Sequence, residues 1–149
     1  MCAPCGSGKS THARALKGQG YVRLSIDGAA WEQGYRAQPL PDGVSEAIAA
    51  AQKTQLLDLV RAGRDVVLDY SFYSRAFRDE YRALLAPLGV VPEVVYVRTP
   101  RELGLERMRE RNVGHPDDFC LPEEVVEMYW DGFEVPTEEE GPIRVVDGY

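Results

Sequence analysis

The chain has 149 residues, of which 44% are hydrophobic and 28% are charged, which is typical of a globular protein long enough to bury a core. Its net charge of −7 argues against an extended nucleic-acid interface, because such an interface needs a basic surface. There is no apolar run of membrane-spanning length and no secretory signal, so we expect one domain, residues 1–149, in the cytoplasm and away from membranes.

The most specific motif is a glycine-rich phosphate-loop (Walker A) pattern near the start of the chain. Gly6 and Gly8 leave room for the backbone to curl around a phosphate, and the amides of residues 6–10 can point inward as an anion nest. Lys9 supplies a cation for the β- and γ-phosphates of ATP, and the Ser10 hydroxyl is placed to bind Mg²⁺. The predicted nucleotide-binding residues are Cys5, Gly6, Ser7, Gly8, Lys9, Ser10 and Thr11.

Two features of this motif depart from the usual pattern. Ala3 stands where the pattern has its first glycine, and a chance Gly/Ser turn before a helix is the alternative interpretation. Met1 precedes Ala3 by only two residues, so the strand that normally leads into the loop, central in a doubly wound sheet, is absent or reduced to a stub. Either the sequence begins downstream of the natural start or another segment fills the gap. We favour the first, and the intact mass of the natural protein tests it.

The three cysteines predict reduced thiols rather than a disulfide framework. Cys2 and Cys5 form a C-x-x-C pair of the kind found in redox and metal sites, but the pair overlaps the phosphate loop and lacks a preceding strand. With no second cysteine pair and only His12 and His115 in the chain, a structural zinc site is not expected.

The alternating segment 21–26 predicts a short strand that ends at Asp27. Because the carboxyl ends of parallel strands face the ligand crevice, Asp27 is placed for chemistry; equally, it is a turn aspartate that caps the next segment, and both interpretations stay open. Glycines and prolines between residues 31 and 43 predict a loop or broken helix of the kind that covers a substrate. An apolar stripe over residues 44–62 predicts a long helix.

The short apolar run Val66–Leu68 predicts a buried parallel strand, followed directly by Asp69. A carboxylate in this place beside a phosphate loop is typical of a Walker B residue, which holds Mg²⁺ directly or through water. A helix cap or a turn is the alternative interpretation.

The loop and helix after this strand supply candidate substrate-binding groups. Tyr70 and Phe72 follow the strand on its crevice side and would either stack on an aromatic or sugar-like acceptor or belong to the core. Ser74 is predicted to cap the next helix. Arg75 and Arg78 oppose the dipole near the start of that helix, so they either serve a substrate phosphate or other anion or are solvated charges.

A second arginine-bearing helix is predicted after the strand 93–97. Thr99 is expected to cap this helix and to form a capping box with Glu102. Arg107 and Arg111 are four residues apart and would share a face, from which they would clamp the transferring phosphoryl group. Pairing with glutamates one turn away is the alternative interpretation.

The last third of the chain predicts elements around the site. Residues 112–120 are polar and contain glycine and proline, which is typical of a flap, and a helix opens at Pro122. The acidic run 138–140 is interpreted as a solvated loop. Residues 143–146 predict the last strand, at a sheet edge.

Several segments together resemble the P-loop kinase-like ATP-binding proteins, the group that includes chloramphenicol phosphotransferase, zeta toxins and polynucleotide kinase. These segments are 5–11, Leu24–Asp27, Val66–Phe72, Arg107–Asn112 and Phe133–Pro136. The resemblance implies an α/β P-loop nucleoside triphosphate hydrolase fold with three αβα layers and a mainly parallel sheet. It also implies that Asp27 acts on the acceptor hydroxyl as base or orienting group, and that Arg107 and Arg111 close over the nucleotide phosphates.

The motifs and the resemblance together predict an ATP-dependent phosphotransferase that moves the γ-phosphoryl group of Mg-ATP to a hydroxyl of a small-molecule acceptor. The predicted catalytic residues are Asp27, Lys9, Arg107 and Arg111; the metal ligands are Ser10 and Asp69; and the substrate-binding residues are Arg75, Arg78, Tyr70 and Phe72. A nucleotide-binding hydrolase or switch without an acceptor is the first alternative. A nucleic-acid end kinase, disfavoured by the acidic charge, and a degenerate domain that binds nothing are the others.

Overall fold

The computed structural model describes residues 1–111 and 119–148, in which four short strands alternate with six α-helices. The strands are β1 Val22–Leu24, β2 Val66–Leu68, β3 Val94–Arg98 and β4 Ile143–Asp147. The α-helices are α1 Lys9–Gly18, α2 Ile26–Glu32, α3 Val44–Arg61, α4 Arg75–Leu85, α5 Arg101–Glu110 and α6 Glu123–Asp131, with 3₁₀ turns at Ala86–Leu88 and Glu138–Glu140. Except for its last two residues, the predicted flap 112–120 lies outside the described residues.

Residues 1–3 lie between two pairs of parallel strands and bridge them. β1 pairs with β2, and β3 pairs with β4. The amide of Cys2 donates to the carbonyl oxygen of Val95 in β3 at 2.8 Å. On the other side, the amino group of Met1 donates to the carbonyl oxygen of Leu68 in β2 at 2.8 Å. The predicted stub therefore occupies the central position itself, in the order β1, β2, residues 1–3, β3, β4.

The sheet carries helices on both faces, because successive strand residues alternate between two hydrophobic clusters. On one face, Cys2, Val66 and Leu68 pack with side chains from α3 and α4. On the other face, Ala3 and Val67 pack with side chains from α1. This is the three-layer α/β architecture with parallel strands that the sequence predicts.

Most predicted helices are present, and the local sequence accounts for several of their ends. Gly63 takes a φ of 70° just after α3, which ends the helix as expected. Ser74 caps α4, since its hydroxyl accepts a hydrogen bond from the amide of Phe77 at 3.1 Å. The capping box predicted for α5 is wrong: Pro100 occupies the N-cap position, and the Thr99 side chain is used elsewhere.

The first predicted strand is shorter than expected. β1 ends at Leu24, and Ser25 caps α2 by accepting a hydrogen bond from the amide of Gly28 at 3.1 Å. Asp27 therefore lies in the first turn of a helix rather than at the end of a strand. A carboxylate is favoured at that position by the helix dipole.

The acidic run 138–140 is only partly the solvated segment that the sequence predicts: Glu138 and Glu139 are exposed, whereas Glu140 is buried. Its two carboxylate oxygens accept hydrogen bonds from Nε and Nη2 of Arg78, each at 2.7 Å. The Arg78 side chain is only 1% exposed. This pair joins the start of α4 to the segment before β4.

Candidate active site

The phosphate loop turns twice through the left-handed backbone region that glycine adopts most readily. Gly6 has a φ of 76° and Gly8 a φ of 89°, and α1 begins directly after Gly8. A Cβ atom on Gly6 would collide with the carbonyl oxygen of Gly104 in α5, whereas one on Gly8 would meet only the carbonyl oxygen of Gly148, at 3.8 Å. Gly6 is therefore required for close packing against α5, and Gly8 is required for the turn that opens the helix.

The loop is supported from beneath by the segments after β3 and β4. The Thr99 hydroxyl donates to the carbonyl oxygen of Ser7 at 3.1 Å, and a Cβ atom on Gly148 would collide with both groups. Arg107 donates to the carbonyl oxygen of Gly148 at 2.5 Å. Ser7 is fully buried in this support and does not line the cleft, and the phosphate contact predicted for its backbone amide stays a prediction.

Lys9 stands at the centre of the charged part of the site. Its ammonium group donates to the carbonyl oxygen of Pro4 at 2.9 Å. Burial lowers the pKa of Lys9, the nearby carboxylates of Asp69 and Asp27 oppose that shift, and the positive charge of Arg111 adds to it. Asp69, Asp27 and Arg111 are therefore each close enough to act electrostatically on Lys9.

Asp69 follows β2 and is paired on one side only. Its Oδ2 accepts a hydrogen bond from Nε of Arg23 at 2.9 Å, in an ion pair whose carboxylate side chain is 2% exposed. Its Oδ1 is buried without a hydrogen-bond partner in the described chain, and Asp69 lines the same cleft as Ser10. A buried carboxylate oxygen that lacks a partner is costly unless a ligand completes it.

This orphaned oxygen fits a bound divalent cation. Hard cations such as Mg²⁺ take oxygen ligands and are usually held by one or two protein groups together with substrate phosphates and water. Ser10 in the first turn of α1 and Asp69 after β2 are such groups. Within the described chain, no cluster of three or more His, Cys, Asp or Glu residues could hold a metal by itself, so phosphate oxygens would complete the ligand set.

Asp27 reaches the cleft from the first turn of α2. Its Oδ1 accepts a hydrogen bond from Nε2 of Gln38 at 3.1 Å, which ties the helix to the loop that precedes α3. The interpretation of Asp27 as the cap of the next segment is wrong, because Ser25 is the cap of α2 and Asp27 lies in the first turn, from which it lines the cleft.

The two arginines predicted to act together on α5 are separated by the structure. The helix ends at Glu110, so Arg111 is extended, with a ψ of 108°, and lines the cleft. Arg107 remains helical and bonds to Gly148 instead. Two other arginines of α5 do not pair with glutamates of the same helix. Arg101 forms an ion pair with Asp131 of α6, and Arg109 forms one with Glu123 of α6.

The cleft over the phosphate loop has a volume of about 1000 Å³. It brings together ten of the predicted site residues: Cys5, Gly6, Gly8, Lys9, Ser10, Thr11, Asp27, Asp69, Tyr70 and Arg111. Such a volume is sufficient for a nucleotide together with a small second substrate, since ligand pockets commonly measure a few hundred to about 1000 Å³.

Four other predicted residues do not reach the cleft, and their described contacts explain why. Arg78 is held in the buried pair with Glu140, and Arg107 supports the loop from beneath. Phe72 is 7% exposed and packs within the aromatic cluster of the core, with a ring centroid 4.8 Å from that of Phe77. Arg75 is half exposed and points along its own helix, 3.6 Å from Asp79. The prediction that Phe72, Arg75 and Arg78 bind substrate is therefore wrong for this cleft, because none of them lines it.

Three contributors to the site were missed by the sequence reasoning. Arg23 lies in the middle of β1, and a lone charge in a short, largely apolar strand is a signal that a buried partner exists. Gly104 lies inside α5, where glycine is costly, and a Cβ atom there would collide with the Trp130 ring. Gly148 carried no comparable signal, because its role depends on contacts made only after folding.

The glycine-rich loop lies at the start of a helix and follows the central residues 1–3 of a parallel sheet, which defines a P-loop nucleotide-binding protein. Comparison with protein families matches residues 1–136 to the AAA domain family AAA_33. The chain belongs to this family, and it is a P-loop kinase-like ATP-binding protein.

Solved structures agree with this assignment. The chain is similar to a gluconokinase from Sinorhizobium meliloti 1021, with 25% sequence identity and a TM-score of 0.65, over 98% of this chain and 79% of that one. A comparison with curated proteins found no match. No helix in the described part of the chain is both long and apolar enough to cross a membrane.

Proposed function

We propose that the protein is a kinase of a small molecule, which transfers the γ-phosphoryl group of Mg-ATP to an acceptor hydroxyl. The observation that carries this proposal is that Lys9, Asp27 and Asp69 line one cleft, and that Oδ1 of Asp69 has no hydrogen-bond partner in the described chain. A phosphate-binding cation, a metal-binding oxygen and a second carboxylate are the groups that phosphoryl transfer requires. The family match and the gluconokinase neighbour support the same general class.

The residues around the loop would divide the work of binding. The amides at the start of α1 and the ammonium group of Lys9 would hold the β- and γ-phosphates. Ser10 and Asp69 would hold Mg²⁺, whose charge offsets that of the phosphates when it is bound. Arg111 lies on the cleft wall, close enough to lower the pKa of Lys9, and would stabilise charge on the transferring group.

Asp27 would act on the acceptor. The hydroxyl oxygen of the acceptor forms a bond to the γ-phosphorus, the bond from that phosphorus to the bridging oxygen breaks, and ADP leaves. The hydroxyl proton passes to the carboxylate of Asp27, whose position Gln38 fixes by a hydrogen bond. Most of the rate enhancement in such a reaction comes from positioning and electrostatic stabilisation rather than from covalent catalysis.

The test is the Asp27→Asn variant, compared with Asp58→Asn, which changes an exposed aspartate of α3. Mg-ATP binding is measured by calorimetry, and product by mass spectrometry after incubation with a pool of hydroxyl compounds. We expect Asp27→Asn to bind Mg-ATP within about threefold of the unchanged protein and to lose transfer by roughly 100-fold or more.

Turnover by Asp27→Asn equal to that of the control would contradict the role of Asp27. Release of ADP and inorganic phosphate by the unchanged protein, with no phosphorylated acceptor across the pool, would instead favour the hydrolase or switch.

A further inference from the structure

The part of the cleft formed by the start of α3 has an acidic rim. Asp42 and Glu46 flank the start of α3 and line the cleft, and neither has an ion-pair or hydrogen-bond partner in the described chain. The dipole of α3 favours carboxylates at this end of the helix, which explains how they are tolerated close together. Asp27 adds a third carboxylate to the same cleft.

A second group of lining residues is apolar and exposed. Tyr73, Met128 and Tyr129 are 54%, 59% and 48% exposed, and all three line the cleft together with Phe77 and Phe133. They come from the loop after β2 and from α6, whereas the acidic rim comes from the start of α3. Large exposed apolar side chains gathered at one cleft mark a surface that a ligand covers.

The positive charges of the cleft are confined to its nucleotide side. Among the described lining residues, every lysine or arginine belongs to the phosphate loop, to α1 or to the end of α5: Lys9, Arg14 and Arg111. The lining residues of segments 38–46, 69–77 and 119–133 include none. A carboxylate or phosphate on the acceptor would therefore meet acidic and aromatic groups there, with no lysine or arginine among the described lining residues of these segments to pair with.

We propose that the acceptor is an uncharged or positively charged alcohol with an aromatic or other apolar body, and not an anionic sugar acid. This inference rests on the proposed kinase function and names the substrate class of the same site. The aromatic side chains would cover the apolar body, and an ammonium group would be attracted both by the acidic rim and by the ring faces. The solved neighbour is, by its name, a kinase of gluconate, which is an anion.

Three probes that share a phenyl ring and a benzylic hydroxyl test the charge preference: 2-amino-1-phenylethanol, 1-phenyl-1,2-ethanediol and mandelate. They are cationic, neutral and anionic at pH 7, and gluconate is the fourth probe. Binding is measured by saturation-transfer NMR and calorimetry, with and without a magnesium complex of a non-hydrolysable ATP analogue. We expect the amine and the diol to bind at least about tenfold more tightly than mandelate, and gluconate to bind more weakly still.

The variant Asp42→Asn/Glu46→Gln identifies the cause of the preference. It is expected to reduce the preference for the amine over mandelate about tenfold while leaving the affinity for the neutral diol within about twofold. The control Asp58→Asn/Asp65→Asn removes the same net charge from residues that do not line the cleft, and it should leave the preference unchanged. Thermal unfolding of both double variants verifies that they fold.

The outcomes separate this inference from the kinase proposal. Tighter binding of mandelate or gluconate than of the amine, or a preference that the two double variants change equally, overturns the acceptor class. Weak binding of all the probes alongside tight nucleotide binding also overturns it, and the kinase proposal survives. No nucleotide binding defeats the kinase proposal, and the probe affinities measured without nucleotide still decide the charge preference of the cleft.

Discussion

Two buried carboxylates, Glu140 and Asp69, are treated in opposite ways by this fold. Both oxygens of Glu140 accept hydrogen bonds from Arg78, and Oε1 also accepts one from the amide of Thr137. Asp69 has one oxygen bonded to Arg23, while its other oxygen is buried without a hydrogen-bond partner among the described residues. Each side chain is 2% exposed, so burial alone does not distinguish them.

The difference indicates which buried charge serves the fold and which serves a ligand. A carboxylate whose hydrogen bonds are all made inside the protein has no acceptor site available for a substrate. Its removal destabilises the fold, because its partner is then buried without a counter-charge. A carboxylate with a free oxygen facing a cavity keeps binding capacity at the expense of stability. Substitutions at the two sites should therefore change different measured quantities.

The largest effect on stability is expected for Glu140→Gln. This change leaves the guanidinium of Arg78, 1% exposed, without its charged partner, so the free energy of unfolding should fall by about 3–5 kcal/mol. Urea unfolding followed by circular dichroism measures the loss. The exposed neighbour supplies the control Glu139→Gln, which should stay within about 0.5 kcal/mol of the unchanged protein. Equal losses of unfolding free energy in the two variants would mean that the buried ion pair does not stabilise the fold.

Acid should weaken the same pair. Hydrogen bonds from Arg78 lower the pKa of Glu140 from 4.5 to about 2, so the stabilisation is complete above about pH 4.5 and is lost as the pH falls towards 2. The loss amounts to something on the order of 3 kcal/mol. Urea unfolding at pH 6, 4 and 3 measures it. Because Gln does not titrate, Glu140→Gln should lack this part of the pH dependence, and identical pH profiles for the two proteins would contradict the explanation.

In the cleft, the largest effect is expected for Lys9→Ala and falls on binding. Loss of the ammonium group should weaken Mg-ATP binding by roughly 100-fold, which corresponds to about 2.7 kcal/mol. Stability should change little, because burial already disfavours the charged form of Lys9 and lowers its pKa. Calorimetry measures the affinity, with Lys17→Ala, in the last turn of the same helix, as the control. Nucleotide affinity unaffected by Lys9→Ala would refute the phosphate-loop assignment.

The smallest effect is expected for Asp69→Asn. Asparagine keeps an oxygen for Arg23 but removes the charge that favours a cation, so the magnesium concentration needed for half-maximal nucleotide binding should rise about tenfold. Chelation of magnesium should lower nucleotide affinity less in this variant than in the unchanged protein. A loss of stability as large as that of Glu140→Gln, with magnesium dependence unchanged, would assign Asp69 to the fold rather than to the site.

The parts of the protein that sequence reasoning predicted correctly are those encoded by neighbouring residues. The Gly6 and Gly8 turns, the cap at Ser74 and the helix stop at Gly63 depend on local backbone preference, and the structure contains each of them. Residues 1–3 lie at the centre of the sheet, where the rule for phosphate loops puts the preceding strand, but the sequence left open whether that strand was absent, a stub or replaced by another segment. These features were nearly sufficient to predict the P-loop kinase-like class.

The errors concern charged and polar side chains whose partners are distant in the chain. Thr99 matches a capping box in sequence, but its hydroxyl bonds to Ser7, 92 residues away. Arg78 was interpreted as a substrate ligand, and its partner Glu140 as a solvated residue, although they lie 62 residues apart and form one buried pair. The local sequence around an arginine does not reveal such pairing, because it is the same whether the partner is a substrate or a carboxylate that is distant in the chain.

The sequence by itself determined the phosphate loop, the alternation of helices and strands and the class of protein, because glycine conformation and hydrophobic periodicity act over a few residues. Only the tertiary structure decided which of the predicted charges line the cleft: Arg111 does and Arg107 does not, since α5 ends between them. It also decided that the acidic rim and the exposed aromatic side chains share one cavity. The physical reason is that the free energy of a buried charge depends on which groups the whole fold brings within hydrogen-bonding distance.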